Sequence, residues 1–261
     1  MTPRLFAAVM CAALLGGFSC AASATQVELR GAVDTTGSVQ LPAKARLSDA
    51  ALAAHVRTDA YMAGAAWLRL SLMLEQQRAK AGLLFDLDSV KRQAFKGERD
   101  NLAQLAATLA TWLNAMPVTG RQVALLDPRA VEVNAQENRP VGEGDTLYYP
   151  RRPSTIRVVG AVLQPCDLPL VALQDARRYL ADCKPSPEAD ADWMYVIQPD
   201  GRVIRQGIAL WNRSAPVSLA PGAILYVPII DRHVSAVAPD LNSELAAFLA
   251  TQLLADPEAH R

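Results

Sequence analysis

The sequence predicts an α+β fold of two β-grasp-like domains, each a small mixed sheet curled around one helix. Three observations carry this expectation: an internal repeat, a long helix-patterned segment that interrupts its first copy, and an apolar stripe near the C-terminal end. The repeat comes first because it sets the register for everything else. Val27-Glu28-Leu29-Arg30-Gly31-Ala32-Val33 resembles Ile156-Arg157-Val158-Val159-Gly160-Ala161-Val162, and Leu47-Ser48-Asp49-Ala50 resembles Leu173-Gln174-Asp175-Ala176. Gly144-Asp145-Thr146-Leu147-Tyr148-Tyr149-Pro150 then resembles Gly222-Ala223-Ile224-Leu225-Tyr226-Val227-Pro228. The order is the same in both copies: strand, turn, strand, short helix, further strands, and a closing apolar strand before Pro.

Residues 1–24 are read as a secretory signal. Arg4 supplies the positive start, and residues 5–18 form an apolar run of 14 residues, too short to span a bilayer at about 20 residues per helix. Ala22-Ser23-Ala24 offers the small residues of a cleavage site, which would leave about 237 residues exported to a bacterial periplasm. Cys20 leaves a lipoprotein alternative, weakened by Gly17 where a Leu is usually found. Cys11 and Cys20 depart with the signal, so Cys166 and Cys183 remain as an even pair in an oxidising compartment. With no CxxC and no His nearby, a structural disulfide is preferred to a redox or metal role.

The first domain is expected over residues 25–153, with a helical insertion at about 59–116. In the first copy 95 positions separate Asp49 from Gly144, against 47 between Asp175 and Gly222 in the second. The excess reads as helices over residues 61–80, stopped by Gly82, then 86–96, then a stripe of Leu102, Leu105, Leu109, Trp112, Leu113 and Met116 ending at Pro117. The two arms would bury these stripes against each other as a structural hairpin, and a docking arm is the alternative.

The second domain is expected over residues 154–232. Its strands are read at 156–162, 193–197, 202–206, 209–211 and 223–227, and its helix at 173–181. Pro199-Asp200-Gly201 joins two of them, Pro fixing φ and Gly accepting positive φ. Residues 239–256 then form an amphipathic helix with Asp240 as N-cap and a stripe of Leu241, Leu245, Phe248, Leu249 and Leu253. No stretch of the exported chain is long enough to cross a membrane.

Composition excludes several functions. The 261 residues carry 26 Lys+Arg against 26 Asp+Glu, so there is no long-range field for nucleic acid. The three histidines, His55, His233 and His260, have no ligand spacing, so no metal or other cofactor is expected. Leu83-Leu84-Phe85-Asp86-Leu87-Asp88-Ser89-Val90 has the form of a phosphatase DxD motif, in which one Asp attacks phosphate and the next handles the proton. Its downstream Lys and acidic pair are missing, so Asp86 or Asp88 reads better as a cap between helices. Asp190 and Asp192, a formal glycosidase pair, sit in a polar connector. Sugar contacts need aromatic faces with hydrogen-bonding groups beside them. Trp211 with Asn212 and Arg213 is the best local set, then Trp193 with Asp192, then Tyr148 with Arg151 and Arg152. Packing in the core is the competing role for each tryptophan.

Val159-Gly160-Ala161-Val162, the run from Asp192-Trp193-Met194 through Pro199-Asp200-Gly201, Gly207-Ile208-Ala209-Leu210-Trp211-Asn212, and Pro221-Gly222-Ala223-Ile224-Leu225-Tyr226-Val227-Pro228 resemble the GfcC-type capsule-biosynthesis proteins. The resemblance implies two SLBB-type β-grasp domains, a helical hairpin in the first, and a terminal amphipathic helix. It further implies a periplasmic role in assembly or export of capsule or exopolysaccharide, with polysaccharide or outer-membrane export proteins as partners. It implies no catalytic reaction. A glycan-modifying or phosphate-cleaving enzyme and an envelope structural protein are the alternatives.

Overall fold

The computed structural model describes residues 24–255. The expected signal, with Cys11 and Cys20, lies outside them apart from Ala24, as do the last residues of the chain, His260 among them. The first sheet consists of β1 (Thr25–Gly31), β2 (Gly37–Leu41), β3 (Ala66–Leu68), β4 (Arg121–Gln122) and β5 (Asp145–Tyr149), in the order β2-β1-β5-β3-β4. The second consists of β6 (Thr155–Gly160), β7 (Cys166–Pro169), β8 (Trp193–Ile197), β9 (Val203–Gly207) and β10 (Ile224–Val227), in the order β7-β6-β10-β8-β9. Both sheets have one parallel pair at the centre, β1 with β5 and β6 with β10, and antiparallel neighbours elsewhere. This is the duplicated β-grasp topology that the repeat predicts.

The repeated Gly-Ala-Val has a steric cause. Gly31 and Gly160 have φ of +89° and +101°, and a Cβ there would lie 2.1 Å from Tyr149 O and 2.2 Å from Val227 O. The next residue in each copy uses that approach: Ala32 N donates to Tyr149 O at 2.6 Å and Ala161 N to Val227 O at 2.8 Å. Only glycine lets the first strand turn this tightly across its parallel partner.

Each sheet covers its core differently. The first packs Val27, Leu29, Leu147, Tyr149 and Trp67 against α1 (Leu47–Ala54) and the segment that carries Leu126 and α4 (Pro128–Val133). In the second, the pleat divides the strands. Leu225, Val158 and Val196 lie in register on one face; Tyr226, Val159 and Tyr195 lie on the other. On the Tyr226 face lie α2 (Met73–Lys96), α3 (Asp100–Ala115) and, following the one-turn α5 (Asp231–Val234), α6 (Leu241–Leu249), in one core with the sheet. Tyr226 donates its hydroxyl proton to Asn242 Oδ1 of α6 at 2.9 Å, and burial pushes its pKa up. The hairpin leaves the first sheet after Leu68 and returns at Arg121. It stands where the second copy has only the turn at residues 198–202. Its inner face, including Leu83, Leu87, Leu102 and Leu113, is buried, each leucine contributing about 2 kcal/mol of transfer free energy.

Several expected elements differ. Residues 61–80 are not one helix: Ala66–Leu68 is a strand, because Trp67 and its neighbours pair with β5 and β4, and that pairing overrides an Ala-rich composition. Gly82 does not stop the helix. α2 runs unbroken for 24 residues, and Gly82 sits exposed within it. The helix cost of one glycine, about 1 kcal/mol, is smaller than the burial that follows at Leu83, Leu87 and Val90. Asp86 and Asp88 are therefore mid-helix residues, not caps. Residues 209–211 form a loop, since Asn212 holds this segment off the sheet. The helix at 173–181 is a shorter 3-10 turn, Ala176–Ala181, which brings Cys183 beneath β7. The terminal helix ends at Leu249, and Asp240 stands at its N-cap without a side-chain capping bond. Among the described residues no helix is long and apolar enough to cross a membrane.

The Cys166–Cys183 disulfide is formed, linking β7 to the end of the 3-10 turn across 17 residues. Thiol titration of the unreduced, denatured protein is expected to find neither cysteine free. The double Ser variant is expected to lose about 3 kcal/mol of stability. Because one core joins hairpin and second sheet, Leu87→Ala is expected to cost 2–5 kcal/mol in chemical denaturation. The hairpin and the second sheet should unfold in a single transition read equally by near-UV and far-UV circular dichroism, whereas melting of the hairpin independently of that sheet would contradict their shared core.

Candidate functional site

Two of the three sequence-predicted sets come together at the edge of the second sheet. Trp193 opens β8, and β9 pairs with it antiparallel, Trp193 opposite Gly207 and Tyr195 opposite Arg205. Arg205 is thus a diagonal neighbour of Trp193 on the same face, and its guanidinium carbon lies 4.0 Å from the Trp193 ring centroid. Arg205 also reaches Asp231 at 3.4 Å. After β9 the chain doubles back in a tight loop. Asn212 fixes it: its Nδ2 donates to Asp192 O at 2.9 Å, and its Oδ1 accepts from Ala209 N at 3.1 Å. Ile208 N also donates to Asp192 O, at 2.8 Å. A Cβ at Gly207 would stand 2.1 Å from Asn212 O, so glycine is needed for this closure.

That loop places Trp211 beside Trp193. The ring centroids are 6.5 Å apart at 87°, an edge-to-face pair. Trp211 Nε1 donates to Asp192 Oδ1 at 3.2 Å. Asp192 is itself positioned by Asp190, whose Oδ1 accepts from the backbone N–H of Asp192 and Trp193 at 2.7 and 3.1 Å. Trp211 remains 72% exposed and its neighbour Leu210 86% exposed. Arg213 follows, also exposed. The result is a held but uncovered indole against the Asp192 carboxylate, with Asn212 and the exposed Arg213 following it in the chain.

The third set lies elsewhere. Tyr148 is on β5, 8% exposed, and donates to Leu254 O at 3.1 Å, so its ring is no open platform. Arg151 pairs with Asp59 at 3.5 Å, and Arg152 is exposed beside it at the link between the sheets. A surface cleft of about 780 Å³ also lies away from the tryptophans. Val123, Leu125, Glu137, Arg139, Asp200 and Arg202 line it, with no aromatic side chain.

Sequence reasoning missed Arg205, which register alone brings to Trp193, and Arg121. Arg121 is 7% exposed, and Nη1 donates to Ala250 O and Gln252 O at 3.2 and 3.0 Å. Nη2 donates to Ala65 O at 3.4 Å and to Pro199 O. One guanidinium therefore ties the first sheet, the β8–β9 turn and the end of α6. A cation suits the carbonyl end of a helix. Burial lowers its pKa from the ordinary guanidinium value, and Asp200 partly offsets this.

The DxD motif has no catalytic setting. Both aspartates project from the middle of α2, not from a strand end, and Asp88 pairs with Arg92 one turn on. Partial burial raises the Asp86 pKa, and Asp240 raises it further. Among the histidines, His233 Nδ1 lies 2.9 Å from Glu188 Oε2 and His55 Nδ1 3.2 Å from Ala53 O. Among the described residues no three His, Cys, Asp or Glu side chains converge as a metal site.

Fold and site together define a duplicated β-grasp protein with a helical arm inserted in its first half and an aromatic cluster on its second sheet. The family model for the N-terminal part of capsule biosynthesis GfcC matches residues 21–152, and that for the GfcC C-terminal part matches residues 164–254. The chain belongs to this capsule-biosynthesis family. It is also 31% identical over 186 residues to the uncharacterized protein YjbG of Escherichia coli (strain K12), covering 71% of this chain and 73% of that protein.

Replacing Arg121 by Ala strands four carbonyls around a buried void and is expected to cost about 3 kcal/mol. Lys, a single charge without the fork, should recover less than half. Denaturant midpoints at constant slope measure both; a neutral Arg121→Ala would refute the clamp.

Proposed function

We propose that this protein is a non-catalytic periplasmic accessory factor in the assembly or export of capsule or exopolysaccharide, and that it works by contact with polysaccharide or with the export machinery. Family membership supports the pathway. The observation that carries the contact role is the Trp193–Trp211 cluster. A large indole held in place yet left in water is an interaction surface rather than core. In this reading Trp211, Asn212, Arg213, Trp193 and Asp192 make the contact. Tyr148, Arg151 and Arg152 belong to the joint between a first unit at residues 25–153 and a second at residues 154–232. The hairpin acts structurally, since its inner stripe is core. The mid-helix position of Asp86 and Asp88 speaks against the phosphate-cleaving alternative.

Deletion in the native bacterium, with wild type, Asp86→Asn and Trp211→Ala as complementing genes, tests this. Surface-attached polymer is expected to fall on deletion. Wild type and Asp86→Asn should restore it fully, and Trp211→Ala only in part at equal protein abundance. Restoration by wild type but not by a folded Asp86→Asn would return the enzyme reading. Unchanged polymer after deletion would remove the assigned role.

A further inference from the structure

We propose that the exposed face of Trp211 is a single-ring subsite for an uncharged pyranose, with Asp192 accepting hydrogen bonds from its hydroxyls. This deepens the contact role proposed above and rests on it. Three observations lead there. The first is preorganisation. Asp192 Oδ1 holds the indole N–H, the Trp193 edge-to-face contact holds the ring, and the Asn212 bonds hold the loop. An aromatic plane fixed before binding loses little entropy when a sugar stacks on it. Left 72% in water, that plane has no structural partner to displace.

The second is the state of Asp192. Trp211 Nε1 occupies one carboxylate oxygen. An ionised carboxylate has about four acceptor positions, so its free capacity suits adjacent hydroxyls beside a stacked ring. The neighbouring Asp190 spends Oδ1 on two backbone N–H groups that aim Asp192.

The third is charge. The charged group in contact with the indole is a carboxylate, Asp192, with Asp190 bonded to the backbone beside it. Arg205 is already committed to the Trp193 face and to Asp231. A uronate or phosphate on the bound sugar would meet the Asp192 carboxylate at close range. Since Arg205 covers the face of Trp193, Trp211 alone is free to stack, so the subsite takes one ring. Affinity for a monosaccharide should be weak, in the millimolar range, and a repeating polymer engages many copies by avidity.

The test uses the purified exported chain and records the indole N–H resonances by NMR. The probes are the methyl pyranosides of glucose, galactose and mannose, each to 100 mM, with glucuronate and inorganic phosphate as charged comparisons. At least one neutral glycoside should shift the Trp211 resonance saturably, with little change between low and high salt. Trp211→Ala should abolish the response, Trp211→Phe should retain part of it, and Asp192→Asn should weaken it at least threefold. Trp211→Ala is exposed enough to fold normally, which its melting curve checks. A response to none of the neutral sugars, a response only to glucuronate or phosphate, or one that survives Trp211→Ala overturns the subsite. Polymer measured in the complemented deletion strain separates the two levels. If deletion lowers the polymer but Trp211→Ala restores it fully, the subsite fails, and with it any contact made through Trp211, while the accessory role stands. If deletion leaves the polymer unchanged, the accessory role itself fails.

Discussion

The structure depends on one loan of surface. The second sheet has two apolar faces but only a short 3-10 turn of its own to cover one of them. Its Tyr226 face is covered by α6 together with α2 and α3, and the chain inserts the last two between adjacent strands of the other sheet. A β-grasp unit of this size is marginal when it must bury its core alone. Covering its second face with a hairpin rooted elsewhere lets β6, β8 and β10 be apolar on both sides. It also roots the second sheet's core in a segment of the first half, while the first sheet keeps an apolar core of its own, so the position of α6 follows from the hairpin and not from a linker.

Arg121 fastens the same joint from the other side. It follows the hairpin immediately, where the chain re-enters the first sheet, and its fork reads carbonyls of β3's neighbour Ala65, of the β8–β9 turn and of the chain after α6. These carbonyls would otherwise be buried without donors, and water has little room there. The terminal helix ends at Leu249 for the same reason: the next carbonyls turn toward the guanidinium instead of continuing the helical ladder. Thr119 adds a bond to Thr251 O at 2.7 Å, so residues on both sides of Gly120 hold the tail.

Local signals were legible in the sequence and long-range pairings were not. The repeat, the glycines at 31 and 160, the Pro-Asp-Gly turn, the cysteine pair and the apolar stripes are all short-range patterns with a steric or burial cause. The strand at Trp67 was not legible, because its Ala-rich surroundings favour helix and only pairing with β5 and β4 makes it extended. Nor was the unbroken α2, since Gly82 is a helix stop only where no burial beyond it outweighs the local cost. In the site, Trp211 and Asn212 announced themselves as neighbours in sequence. Their meeting with Trp193 needs the loop closure at Gly207, and Arg205 needs the strand register. Arg121 looked like any surface arginine, for nothing near it in sequence is acidic or aromatic enough to mark it as buried.

The aromatic cluster sits at the edge of the second sheet that the borrowed core does not reach. β9 is the outer strand, and the loop from residues 207 to 214 folds back along it, Gly207 N and Ser214 N both bonding across the turn. This loop protects an edge that would otherwise invite another strand. It does so with side-chain and backbone bonds rather than apolar packing, which leaves Leu210 and Trp211 free to face water. An interaction surface built this way can change its residues without disturbing the shared core. The joint around Arg121 has no such freedom, because three elements converge there on a single side chain. The two halves of the duplicated fold have thus taken different work: the first sheet supplies the arm that stabilises its neighbour, and the neighbour, so stabilised, can carry exposed aromatics on its far edge.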